Sequence, residues 1–153
     1  MRFSYQKRRG APPRVCLHDC TLRRIDVQGR DLVLDFAPGG FFVWVPEQGR
    51  YFRAYPARLT LQGFDPDLLS IQEDTVRRDA DGTVFNALYN VAPREFQRRV
   101  NAGTLHAEFV EEFCDRGAAH FVLWCERERR FHVSLSYRAL LYEWDAVDLN
   151  APY

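Results

Sequence analysis

The chain reads as a mainly β protein: an antiparallel barrel or sandwich of about ten strands with one short α-helix near residues 93–102. Three observations carry that reading. The run Phe131-His132-Val133-Ser134-Leu135-Ser136-Tyr137 puts Phe131, Val133, Leu135 and Tyr137 on one face and His132, Ser134 and Ser136 on the other. That period of two belongs to a half-buried strand. Comparable runs bounded by Gly, Pro and Asp recur along the chain, and its 14% aromatic content suits pleated surfaces.

The elements follow in order. Residues 1–15 mix charge with Gly10, Pro12 and Pro13 and read as a flexible lead-in, although Phe3 and Tyr5 could add an edge strand. Residues 16–148 read as a single β-rich domain, with 149–153 as a tail. Leu22–Gln28 is the first secure strand, ended by Gly29-Arg30-Asp31, and 32–36 is the second. Pro38-Gly39-Gly40 turns the chain into Phe41–Val45, which predicts a hairpin. Strands at 50–55 and 58–64 are separated by Pro56, and Asp65-Pro66-Asp67 turns into 68–76. Residues 77–82 read as a loop and 83–91 as one more strand. Pro93 at a first helical position, Glu95 in the first turn, Phe96 and Val100 four apart, and Gly103 as a stop define the helix. Strands at 105–114, 119–127 and 130–137 come next, linked by Asp115-Arg116-Gly117 and Glu128-Arg129. The apolar positions then change from odd to even: Leu140, Tyr142 and Trp144. That slip near Arg138 signals a bulge or corner.

Composition narrows the class. A chain of 153 residues, 46% hydrophobic, can build a core without disulfides. Its 21 basic and 21 acidic residues cancel, which gives no electrostatic footprint for a nucleic-acid partner. Only Lys7 among the basic residues is not Arg. The Arg pairs, Arg8-Arg9, Arg23-Arg24, Arg77-Arg78, Arg98-Arg99 and Arg129-Arg130, are scattered, and on a strand each would send one side chain to each face. GC-rich coding accounts for the excess more readily than anion recognition does. Neither a signal-peptide core nor a run of ~20 apolar residues is visible, and four Cys are too few for a disulfide scaffold. The expectation is a cytoplasmic protein with reduced thiols and no membrane partner.

Leu17-His18-Asp19-Cys20 before a hairpin, and the tail Ser136-Tyr137-Arg138 through Tyr142-Glu143-Trp144-Asp145, resemble small uncharacterised bacterial single-domain mostly-β proteins. The resemblance would cover roughly residues 16–146. It implies the β fold and the short helix before the final strands, and no activity.

Candidate sites are few. On a straight strand Cys16, His18 and Cys20 would share one side but span ~13 Å at ~3.3 Å per residue. They could hold zinc only around a turn; otherwise they are two buried thiols and a surface imidazole. Cys20 or Cys114 could act as a nucleophile with His18, His106, His120 or His132 as base, but none of the four Cys opens the helix, where a thiolate would be favoured. No phosphate loop, Gly-x-Ser-x-Gly elbow, His-Glu-x-x-His or EF-hand spacing occurs. No metal and no cofactor are expected.

Glu111 occupies the apolar parity of Leu105, Ala107, Phe109 and Phe113, so it either enters the core as a pocket group or is turned out by a bulge. Phe41, Phe42 and Trp44 straddle both faces of one strand, so at least one ring is expected to meet a second sheet, a ligand or a partner chain. Two function classes follow. One is a non-catalytic binding or protein-interaction module, with toxin-neutralising immunity proteins as a class analogy and a homodimer by sheet pairing as one form. The other is a calycin-like small-molecule carrier whose internal pocket uses Glu111, Trp44, Trp124 and Tyr142. A cavity of ~300 Å³ or more separates them.

Overall fold

The computed structural model describes residues 1–7, 14–125 and 129–153. Arg8-Arg9, Gly10, Pro12, Pro13, Arg127 and Glu128 lie outside them. The elements are β1 (Phe3–Gln6), β2 (Val15–Cys16), β3 (Leu22–Gln28), β4 (Asp31–Phe36), β5 (Phe41–Val45), β6 (Arg50–Ala54), β7 (Ala57–Gln62), β8 (Ser70–Arg78) and β9 (Val84–Asn90). Then come α1 (Pro93–Asn101), β10 (Glu108–Asp115), β11 (Ala118–Cys125), β12 (Arg129–Ser136), β13 (Ala139–Trp144) and β14 (Val147–Pro152). Single 3-10 turns sit at Pro46–Gln48 and Pro66–Leu68. Among the described residues there are thus fourteen strands rather than about ten, because short edge segments pair as well.

Three antiparallel sheets form, none of them closed as a barrel. The first runs β1-β13-β7-β4-β3, the second β10-β11-β12-β8-β9 and the third β14-β6-β5-β2. The arrangement is sandwich-like, and one apolar cluster lies between the layers. Leu34, Leu59 and Leu61 contribute to it from the first sheet, Phe121, Phe131 and Val133 from the second, and Phe41 and Val43 from the third. Among the described residues no helix is long and apolar enough to cross a membrane.

The expected β4–β5 hairpin is not formed. β4 pairs with β3 and β7, whereas β5 pairs with β2 and β6. Pro38-Gly39-Gly40 is a corner that carries the chain from the first sheet to the third, and Tyr55-Pro56, with a cis peptide, carries it back. A proline and two left-handed glycines mark a sharp change of direction, but they do not say whether the strands they join will pair. Gly39 and Gly40 have φ of 108° and 57°, and the Gly40 N–H donates to the Ala37 carbonyl at 2.9 Å. The phase slip at Arg138 is also a corner: Arg138 lies between β12 of the second sheet and β13 of the first.

Helix α1 follows its sequence signals. Proline at its start needs no donor, Phe96 and Val100 are its buried stripe, and Gly103 at φ 68° leads the chain away. Its polar side is also occupied. Asn101 accepts from the Ile25 N–H at 2.7 Å and donates to the Ile25 carbonyl at 2.8 Å, while Gln97 donates to that carbonyl at 2.9 Å. The outer edge of β3 is thereby paired with side chains of α1 instead of another strand. On its apolar side Phe96 meets Phe131 of β12, with ring centroids 5.2 Å apart.

The two buried rings of β5 have separate surroundings. Phe41 packs edge-on against Phe36 and Tyr142, and Phe42 lies under Tyr153 and the Arg53 guanidinium. Both faces of this strand are covered by the chain itself.

The corner at Gly40 is the position least able to accept a side chain. A Cβ there would run into the Ala54 carbonyl oxygen, on backbone already in the left-handed region. Gly40→Ala should therefore lose about 2 kcal/mol or more of unfolding free energy in urea. Gly29→Ala, equally left-handed but with open space around it, should lose about half as much or less.

Candidate functional site

Between the first and second sheets lies an apolar pocket of about 610 Å³. Leu22, Ile25, Leu32 and Leu34 line it from β3 and β4, and Phe109, Phe121, Leu123, Val133 and Leu135 line it from β10, β11 and β12. Val27 of β3, Ile71 of β8, Phe64, Pro66, Leu69 and the start of α1 complete it. Val27, Pro66, Pro93 and Arg94 of its lining are exposed, while Phe109, Phe121 and Leu123 are buried. Ile25 and Val133 each retain 7% exposure, whereas Leu59 and Leu61, in the same core, retain 0%.

The chemistry of its lining sets this pocket apart. An empty apolar void costs about 24 cal/mol per Å³, so a sealed one of this volume would cost on the order of 15 kcal/mol, as much as a whole domain's stability. Opening to solvent reduces that cost, but water gains few partners in a wall of Leu, Ile, Val and Phe. Among the described lining residues only Arg94 and Gln97 are polar. Gln97 is committed through its amide to the Ile25 carbonyl. Arg94 is exposed and makes no hydrogen bond or ion pair with any described residue. The pocket thus combines an apolar interior with one uncommitted cation.

None of Glu111, Trp44, Trp124 or Tyr142, the residues expected to hold a ligand, lines this pocket. A register shift between Phe109 and Glu111 turns Glu111 out to solvent, the bulge that its odd parity left open. Trp44 is exposed on β5 beside Tyr51, and Trp124 is exposed on β11. Tyr142 is buried on β13 and borders a different cleft.

That second cleft, about 320 Å³, lies among Tyr5, Lys7, Arg14, Glu112, Cys114 and Tyr142. The bulge that expels Glu111 brings Glu112 inward in its place. One Glu112 oxygen accepts from the Leu17 N–H at 3.4 Å, and the other is buried with no hydrogen-bond partner among the described residues, as is the Tyr5 hydroxyl. Desolvation raises the Glu112 carboxyl to about 7, against the opposing influence of the Leu17 N–H, Lys7 and His18. Nothing in the parity of the strand marks Glu112, because a bulge has no sequence signature there.

The remaining candidates are placed apart. Cys20 is fully buried, its sulfur 3.4 Å from the His18 carbonyl, and burial pushes its thiol up to about 12. Burial does the same to Cys114, again to about 12, so both stay protonated at neutral pH. His18 points outward to Asp19 at 3.0 Å and to the Tyr153 hydroxyl at 3.2 Å. The turn at Asp19 bends the Cys16-His18-Cys20 segment without gathering its donors; no metal-binding group of three His, Cys, Asp or Glu occurs among the described residues. His120 bonds Ser134 at 2.9 Å and stacks on His132, while His106 lies 3.6 Å from Glu108.

No family model, curated protein or solved structure matches this chain.

Glu112 gives the fold a pH dependence of known sign. Its folded value of about 7 exceeds the ordinary 4.5, so the folded state holds more protons between those values and stability falls as pH rises through them. Glu112→Gln should match the native chain in urea unfolding near pH 4.5 and exceed it at pH 8, by up to about 3 kcal/mol.

Proposed function

We propose that this chain is a small-molecule binding module that takes an amphipathic ligand, apolar tail first, into the pocket between its first and second sheets. The observation carrying this reading is the 610 Å³ pocket with its all-apolar interior, about twice the ~300 Å³ at which ligand sites begin. Arg94 at the pocket favours a head group that is anionic or accepts hydrogen bonds, since a guanidinium offers only donors. Such a carrier needs no closed barrel, and its ligand residues would be on β3, β4, β8, β10, β11, β12 and α1. Burying an alkyl chain there would gain about 0.8 kcal/mol per methylene.

Titration calorimetry with decanoate, decanol and decylammonium tests the reading. Decanoate should bind best, and across shorter carboxylates affinity should rise about fourfold per methylene until the pocket is full. Leu123→Trp, which fills the pocket from β11, should abolish binding while leaving the circular dichroism unchanged. Arg94→Glu should remove the preference for decanoate over decanol. Failure of every chain length to saturate, or equal binding by Leu123→Trp, rejects the proposal.

A further inference from the structure

β9 is an edge strand without protection. Its seven residues, Val84-Phe85-Asn86-Ala87-Leu88-Tyr89-Asn90, carry no charge, proline or glycine. Val84 and Leu88 are 54% and 61% exposed on one face, and Phe85 and Tyr89 are exposed on the other. β12 supports β8 only from Ser70 to Asp74, so the outer half of the β8–β9 hairpin runs past the body. An edge of this length and composition is a template for pairing.

The other edges of the first two sheets are managed. Side chains of α1 occupy that of β3 at Ile25. The start of β10 bonds residues 19–22, and its later half carries Glu111, Glu112 and Asp115. β1 has four residues.

The direction of the free backbone groups on β9 follows from its ladder. Asp79 N–H donates to the Thr83 carbonyl and Val91 N–H to the Ile71 carbonyl, and both pairs fit the β8–β9 register. Odd-numbered residues of β9 therefore face β8, and Val84, Asn86, Leu88 and Asn90 turn their N–H and C=O groups outward. A two-fold axis at Ala87 would pair Val84 with Asn90 and Asn86 with Leu88 of the second copy. All four outward residues on each copy are then satisfied. Phe85 of each copy falls opposite Tyr89 of the other at non-hydrogen-bonded positions, where side chains approach most closely. The same register sets the acidic turn with Asp79 and Asp81 beside the start of the other copy's α1, where Arg94 has no partner among the described residues. Opposite charges meet there.

We infer that β9 pairs antiparallel with β9 of a second copy about a two-fold axis at Ala87, joining two five-stranded sheets into one. The backbone pairing does not depend on the pocket or its ligand; Arg94 is the one residue that the pocket and the acidic turn of the second copy share.

Sedimentation velocity from about 1 to about 100 µM tests it, with a species of twice the chain mass expected. Asn86→Pro removes an outward N–H that the folded chain does not use, so it should keep the native circular dichroism and weaken the dimer at least about tenfold. Ala87→Cys places two thiols at about 4.5 Å Cα separation, within disulfide reach, so mild oxidation should yield a reducible covalent dimer. The native chain and Val84→Cys, treated alike, should not crosslink. A native chain that stays monomeric at the highest concentration, a dimer unaffected by Asn86→Pro, or a dimer that Ala87→Cys fails to trap overturns the assignment.

Discussion

The first two sheets share a backbone seam, and the rest of the molecule is arranged around it. Asp19 N–H donates to the Phe109 carbonyl at 2.9 Å, Phe109 N–H to the Cys20 carbonyl at 2.9 Å, and Leu22 N–H to the Ala107 carbonyl at 2.8 Å. Thr21 and Glu108 form a bridge in the same place. Backbone bonds of this kind tolerate little change in spacing, so the seam sets where β3 and β10 begin relative to one another. From there the chain runs along two layers rather than one.

Further along β3 the layers are held by α1. Its amide side chains grip the backbone of Ile25 in the first sheet, and Phe96 packs on Phe131 in the second. A hydrogen-bonded seam at one end and a helical strut at the other fix the distance between the layers independently of the side chains between them. Those side chains are Leu, Ile, Val and Phe of ordinary size, and they do not reach across. The pocket is the volume left over. Nearer the third sheet, Phe36, Phe41, Phe109 and Tyr142 interlock ring on ring and leave no such gap.

Much of this was legible in the sequence, and the failures have physical reasons. The turn residues Gly29-Arg30-Asp31 and Pro38-Gly39-Gly40 located the end of β3 and the start of β5 to the residue, and Pro93 with Gly103 bracketed α1. Sheet membership was not legible. Pro38-Gly39-Gly40 bends a strand out of one sheet into another, and the same residues would serve a hairpin. Glu111 and Glu112 are adjacent acids, and only the bulge after Phe109 decides which of them is buried. The pocket could not be read from the residues lining it, because they have the composition of any filled core. What opens it is the placement of α1 by Gln97 and Asn101, whose partner, the Ile25 backbone, is more than 70 residues away.

We propose the space between seam and strut as an available binding site. The chain's two isoleucines, Ile25 and Ile71, both line it, whereas Leu17 and Leu59 lie elsewhere in the core. Methyl-resolved NMR of the chain labelled at Ile and Leu, titrated with decanoate, reads the site directly. The Ile25 and Ile71 methyls should shift together and saturate, while those of Leu17 and Leu59 stay in place. Unmoved isoleucines, or shifts spread evenly through the core, would contradict it.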